Sequence, residues 1–103
     1  MYHERMNLIL ADFNKCDGHR LQLTCVGTHR DLEKFNITLT DGMELAFYDA
    51  DEDADGNSDN LVVSGIVEYD KENERWTARI NWDDIKNISQ LSLEERRRFG
   101  IEM

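Results

Sequence analysis

The sequence predicts a mainly β, α+β domain: a small antiparallel β-barrel with an N-terminal helix, a short inserted helix and a short C-terminal helix. Three observations lead there. Three stretches between residues 43 and 82 alternate apolar and polar side chains or run β-branched. A chain of 103 residues has room for one hydrophobic core. No apolar run approaches the roughly 20 residues needed to span a bilayer. Residues 1–103 therefore read as a single acidic domain.

From the N-terminus, Tyr2, Met6, Ile9, Leu10 and Phe13 recur at helical spacing, and "CDG" supplies a turn after them. "RLQLTCV" then alternates, with Leu21, Leu23 and Cys25 on one side and Arg20, Gln22 and Thr24 on the other, which predicts a half-buried strand with Cys25 facing the core. "THRDLEKF" opens with Thr28 three residues before Asp31, close to a capping box, and predicts about two helical turns. Three antiparallel strands follow. "MELAFYD" puts Met43, Leu45 and Phe47 on one face, "LVVSGIVEY" is continuous enough to be a central strand, and "RWTARINW" sets Trp76, Ala78, Ile80 and Trp82 against Arg75, Thr77, Arg79 and Asn81. "DKENE" has the length and composition of a hairpin loop between the last two. Gly65, inside its strand, predicts a bulge or sharp bend of the kind that curls small sheets into barrels. Ser92 and Glu95 form a capping box before "LEERRRF", Arg96 to Arg98 suit the C-terminal end of that helix, and Gly100 stops it.

Charge narrows the function. Of the net −10, most lies in residues 41–60, which hold eight acids (Asp41, Glu44, Asp49, Asp51, Glu52, Asp53, Asp55, Asp59) and no Lys or Arg; the rest of the chain sets 14 acids against 12 bases. Such a concentrated negative field repels phosphate backbones and anionic lipid and steers basic protein surfaces toward it. The expectation is a basic protein partner, with neither nucleic acid nor membrane bound. Two cysteines, Cys16 and Cys25, are too few for a disulfide scaffold, and "MYHERMNLIL" contains no cleavage-like segment, so free thiols and a cytoplasmic location are expected.

Over roughly residues 43–82, "AFYDA" (Ala46 to Ala50), a long polar loop, a strand and "RWTARI" (Arg75 to Ile80) resemble, in that order, the Ala-Leu-Tyr-Asp-Tyr and Trp-x-Ala-Arg elements of SH3-like barrels. The chain has no proline and no Ser/Pro-Asn-Tyr element near its end, so the resemblance is one of fold, and it implies the barrel rather than polyproline recognition. Tyr48, Trp76 and Trp82 are the aromatics that an exposed groove would use. Trp76 and Trp82 share a face with Ala78 and Ile80, which favours a core role for both.

The stretch "YDADEDADGNSDN" admits two functional readings. Tyr48, Asp49, Asp51, Glu52, Asp53 and Asp55 make an acidic surface for a basic partner. Asp51, Asp53, Asp55 and Gly56 also fit the D-x-D-x-D-G start of a calcium loop, although position twelve is Val62 and no helices flank it, unlike an EF-hand. The stretch is similar to the D-x-D-x-D-G-x-x-D loops between strands of integrin-type β-propellers. That resemblance implies Asp51, Asp53, Asp55, Asp59 and the Asn57 carbonyl as weak calcium ligands.

Other chemistry is less supported. Cys16, His19, Cys25 and His29 lie within 14 residues, but their spacing matches no zinc-finger signature. No glycine-rich phosphate loop, G-x-S-x-G elbow or H-E-x-x-H is present, and Asp83 and Asp84 follow a strand where acids cap the next turn. The expected function is that of a non-enzymatic interaction domain, adaptor or immunity-type, which presents its acidic loop to a basic partner. Calcium binding or calcium stabilisation through Asp51 to Asp59 is the alternative.

Overall fold

The computed structural model describes residues 6–101. Strands β1 (Leu8–Leu10), β2 (Cys16–Asp17) and β3 (Arg20–Gln22) precede helix α1 (Val26–Lys34). Then come β4 (Glu44–Asp49), β5 (Leu61–Asp70), β6 (Arg75–Arg79), a two-residue β7 (Lys86–Asn87) and helix α2 (Leu93–Arg98). One seven-stranded mixed sheet results, in the order β1-β4-β5-β6-β3-β2, with β7 continuing the β6 side of β5.

The β4–β5–β6 meander is the antiparallel array the alternation predicts. Leu45, Phe47, Val63, Val67 and Ala78 from its first face are buried with Ile9, Leu21, Leu23 and Ile80, and Leu32 of α1 covers them. The second face is covered at one end, where Ala46 and Val62 pack beneath Leu91 and Phe99, joined by Leu8, Tyr48 and Ile88. The Ser92 capping box forms as expected: the Ser92 hydroxyl accepts from the Glu95 N–H at 3.1 Å, and the Glu95 carboxylate accepts from the Ser92 N–H at 2.9 Å. Gly100, at φ +71°, ends the helix.

Four expectations are corrected. The N-terminal helix is a strand in its described part; Tyr2 lies outside the described residues. Ile9, Ala11 and Phe13 are buried at a period of two while Leu8 packs on the opposite face, so the short apolar run serves both cores at once. β1 pairs in parallel with β4, Leu8 opposite Ala46 and Leu10 opposite Tyr48.

The inserted helix begins two residues earlier than the capping signal, at Val26, with Cys25 as its half-exposed N-cap. Thr28 is instead fully buried in the first turn, where its hydroxyl donates to the Leu10 carbonyl. That hydroxyl proton being used, the Cys25 thiol donates to Thr28 Oγ1 at 2.9 Å.

The sheet does not close into a barrel. β2, at two residues, is too short to reach across, and the outward N–H of β1 at Leu10 is taken by the Asp31 carboxylate at 2.8 Å. Gly65 makes no bulge, for the register runs unbroken through Leu45–Gly65 and Ala46–Ser64. Its role is close approach: a Cβ there would lie 2.8 Å from Ile80 Cγ2 and 3.0 Å from the Arg79 carbonyl oxygen.

The fourth correction concerns Trp82. It is 43 % exposed beyond the end of β6, with its indole N–H donating to the Gly18 carbonyl at 2.9 Å. Trp76 is half-buried, edge-to-face with Tyr69 at 5.0 Å between ring centroids.

Candidate functional site

The acidic stretch is a connection between β4 and β5 folded back on itself. Asp53 organises it: one carboxylate oxygen accepts from the backbone N–H groups of Asp55 and Asn57, both at 2.9 Å. This is the Asx-type device by which a short side chain replaces a backbone turn. The Asp53 N–H in turn donates to the Asn57 carbonyl at 2.9 Å, Glu52 bridges to Ser58, and Gly56 sits at φ +81°. The Asn57 and Asp55 N–H bonds hold the Asp53 carboxyl below the usual aspartate range, the Asn57 bond being the larger cause.

The base of the loop is anchored to a distant segment. Asp51 accepts from the Asn87 side-chain amide at 2.8 Å, and the same amide donates to the Asp59 carbonyl at 2.7 Å. Asp59 accepts from both the N–H and the hydroxyl of Ser89, at 3.0 and 2.6 Å. Asn87 and Ser89 went unrecognised in the sequence because nothing local marks a partner 28–36 positions away. A cleft of about 290 Å³ opens beneath the loop, bordered by Asp53, Ser58, Asp59, Ile88, Ser89 and Arg96.

The six residues expected to form the partner surface divide by this geometry. Glu52, Asp53 and Asp55 are exposed at the loop tip, and Glu52 and Asp55 make no side-chain hydrogen bond or ion pair among the described residues. Asp51 is half-buried at the anchored base. Asp49 is turned away: its carboxylate accepts from the Phe13 N–H at 3.0 Å and from the Ala50 N–H at 2.9 Å, tying down the chain after β1. Tyr48 packs in the second core cluster, where burial, and secondarily the Asp31 charge, push its phenol up.

The five groups implied as calcium ligands do not converge on a common point. Asp51, Asp53 and Asp59 each serve a different protein donor, and the Asn57 carbonyl is taken by Asp53. Among the described residues no group of three or more His, Cys, Asp or Glu side chains is placed to hold a metal ion, and that includes Cys16, His19, Cys25 and His29. Binding calcium would require these groups to move from their present positions toward a common point. Calcium and magnesium at about 10 mM are therefore expected to give the same small screening shift in melting temperature, unchanged by Asp55→Asn. A calcium-specific rise of roughly 4–8 °C, lost in Asp55→Asn, would instead establish an ion site with millimolar affinity.

No helix among the described residues is long and apolar enough to cross a membrane. No family model matches the chain, and no curated protein and no solved structure matches it either.

Proposed function

We propose that this chain is a non-enzymatic interaction domain, of the adaptor or immunity type, that offers the tip of the Asp51 to Asp59 loop to a basic partner protein. The observation that carries the reading is the fixed shape of the loop. Side chains anchor both of its ends to the segment at Asn87 and Ser89, and Asp53 pins its turn, so Glu52, Asp53 and Asp55 stand exposed without ordering cost on binding. A floppy acidic connection serves solubility alone; a pre-shaped one can select a partner by geometry as well as charge.

The loop tip carries no basic residue, and the eight acids in residues 41–60 are uncompensated within that segment. Like charges held close together repel until a cation arrives, which favours Lys- or Arg-rich surfaces and speeds their encounter.

The decisive measurement uses Glu52→Gln combined with Asp55→Asn, because neither carboxylate supports the fold. With a captured basic partner, the variant is expected to associate roughly tenfold more slowly at low salt, with little change in dissociation rate. The difference should shrink as ionic strength shortens the Debye length to about 8 Å. A partner that binds the variant and the parent chain at equal rates across that salt range would refute the proposal.

A further inference from the structure

Exposed carboxylates steer a basic partner but hold it weakly, because water and salt screen them. Affinity in protein interfaces concentrates on a few aromatic or arginine anchors, so a face built of carboxylates alone lacks the part that slows dissociation. Among the described residues four large apolar side chains stand exposed: Val26, Tyr69, Trp82 and Leu93. Val26 and Leu93 are aliphatic and have no π surface for a cation. Tyr69 lies near the end of β5 remote from the acidic loop, where Trp76 packs edge-to-face against it. Trp82 remains.

The chain makes an excursion to place this residue. In unbroken register with β5, Val62 would face Asp83; it faces Lys86 instead, so three extra residues leave the sheet between β6 and β7. The excursion is fixed at both ends: the Asn81 side chain accepts from the Asp83 N–H at 3.1 Å, and Ile85 packs against the first core. It leads directly into β7, whose Asn87 holds the base of the acidic loop. The indole N–H donates to the Gly18 carbonyl, so the orientation of the ring is set before any partner arrives and its polar edge is already satisfied. What the ring offers to solvent is its π surface.

No Lys or Arg of the described chain occupies that surface; the cation that does lie over a ring is Lys34, over Phe35. The charges around Trp82 offset one another in pairs, with one left over. Asp17 stands across the hairpin from Arg20, and Asp84 and Arg79 border a common cleft whose lining does not include Trp82. Lys86 is engaged by Glu95 at 3.1 Å. Asp83, exposed beside the indole, has no such counterpart, and its carboxylate makes no ion pair or hydrogen bond among the described residues.

We propose that Trp82 is the anchor of the partner surface: its indole stacks against one arginine side chain of the basic partner, and the Asp83 carboxylate takes the charge of that guanidinium. The inference rests on the reading of the acidic loop as the partner face and adds the residue that retains what the loop attracts. The loop governs arrival, and Trp82 governs departure.

The probe is an end-blocked Gly-Arg-Gly-Arg-Gly-Arg-Gly peptide, followed through the indole N–H resonances of the full chain, with Trp76 as internal control. A saturable shift of the Trp82 indole and of the Asp83 amide is expected, with the Trp76 indole unmoved. Trp82→Leu keeps apolar bulk without the π surface and should weaken binding about three- to fivefold, while Trp82→Phe should recover part of the loss. Both variants should fold, with melting temperatures lowered by no more than about 5 °C for one exposed hydrogen bond. Glu52→Gln with Asp55→Asn should weaken binding yet leave the Trp82 shift at saturation unchanged. The proposal is overturned if Trp82→Leu binds as tightly as the parent chain, if the Trp82 indole stays still while other resonances saturate, or if the corresponding lysine peptide moves it equally at equal concentration. Unaltered binding by the loop variant alone would refute the loop as the partner face, with Trp82 still standing as an arginine site.

Discussion

Phe47→Ala is expected to cost about 3–5 kcal/mol, the usual price of deleting a buried aromatic ring. Phe47 is fully buried on β4, opposite Val63 on β5 and beside Ile9 on β1. Its ring therefore contacts three strands and the underside of the core, and a cavity there cannot close by a shift of one element. A domain of this size has about 5–15 kcal/mol in total, so the variant should be close to unfolded at physiological temperature. Urea denaturation is the measurement, with the midpoint falling and the slope held. Leu93→Ala, at a position 58 % exposed, is the control and should stay within about 0.5 kcal/mol. A loss below about 1 kcal/mol for Phe47→Ala would show that the cluster is not a packed core.

The second large effect is expected at the contact between α1 and β1. Leu10 presents its outward N–H to the Asp31 carboxylate and its outward C=O to the Thr28 hydroxyl, so two side chains of one helix complete one residue of the strand. Thr28 is fully buried. Thr28→Val keeps the shape and strands the carbonyl, at a cost of about 1–3 kcal/mol. Asp31→Ala removes the other partner and should cost about 1 kcal/mol. Because both act through Leu10, the double variant should cost less than the sum, by roughly 0.5 kcal/mol or more. The Leu10 amide should exchange with solvent faster in each. Strict additivity with unchanged exchange would mean that the helix does not pin the strand.

The sequence was legible where pattern and environment agree. β4, β5 and β6 bury alternate residues on a common face, and the Ser92–Glu95 box is complete in itself. It was misleading where one signal fits two structures. Leu8, Ile9 and Leu10 satisfy a helical stripe as well as a strand between two cores, and only β4, nearly forty positions on, decides. Thr28 and Asp31 look like a cap because their spacing is that of a capping box, yet both reach across to β1. In the acidic stretch, charge and exposure were readable. Which carboxylates were free was not, since Asn87, Ser89 and Phe13 supply donors from afar.

The strand order has a kinetic consequence. The N-terminal segment contributes β1 to one side of the meander and β2 and β3 to the other, so it clasps β4, β5 and β6 from both sides. Every pairing it makes with the meander is remote in the chain: β1 waits for β4, and β3 waits for β6 at Thr77 to Arg79. During vectorial synthesis β1 to β3 leave the ribosome before the meander and are thus the last to find their places, and until Arg79 has emerged β3 has only the two-residue β2 to lie against. Topology of this kind, rich in distant contacts, folds in milliseconds to seconds rather than microseconds. Ribosome-stalled chains that end before β6 should remain open to protease along β1 to β3, and chains long enough to expose β6 should close abruptly.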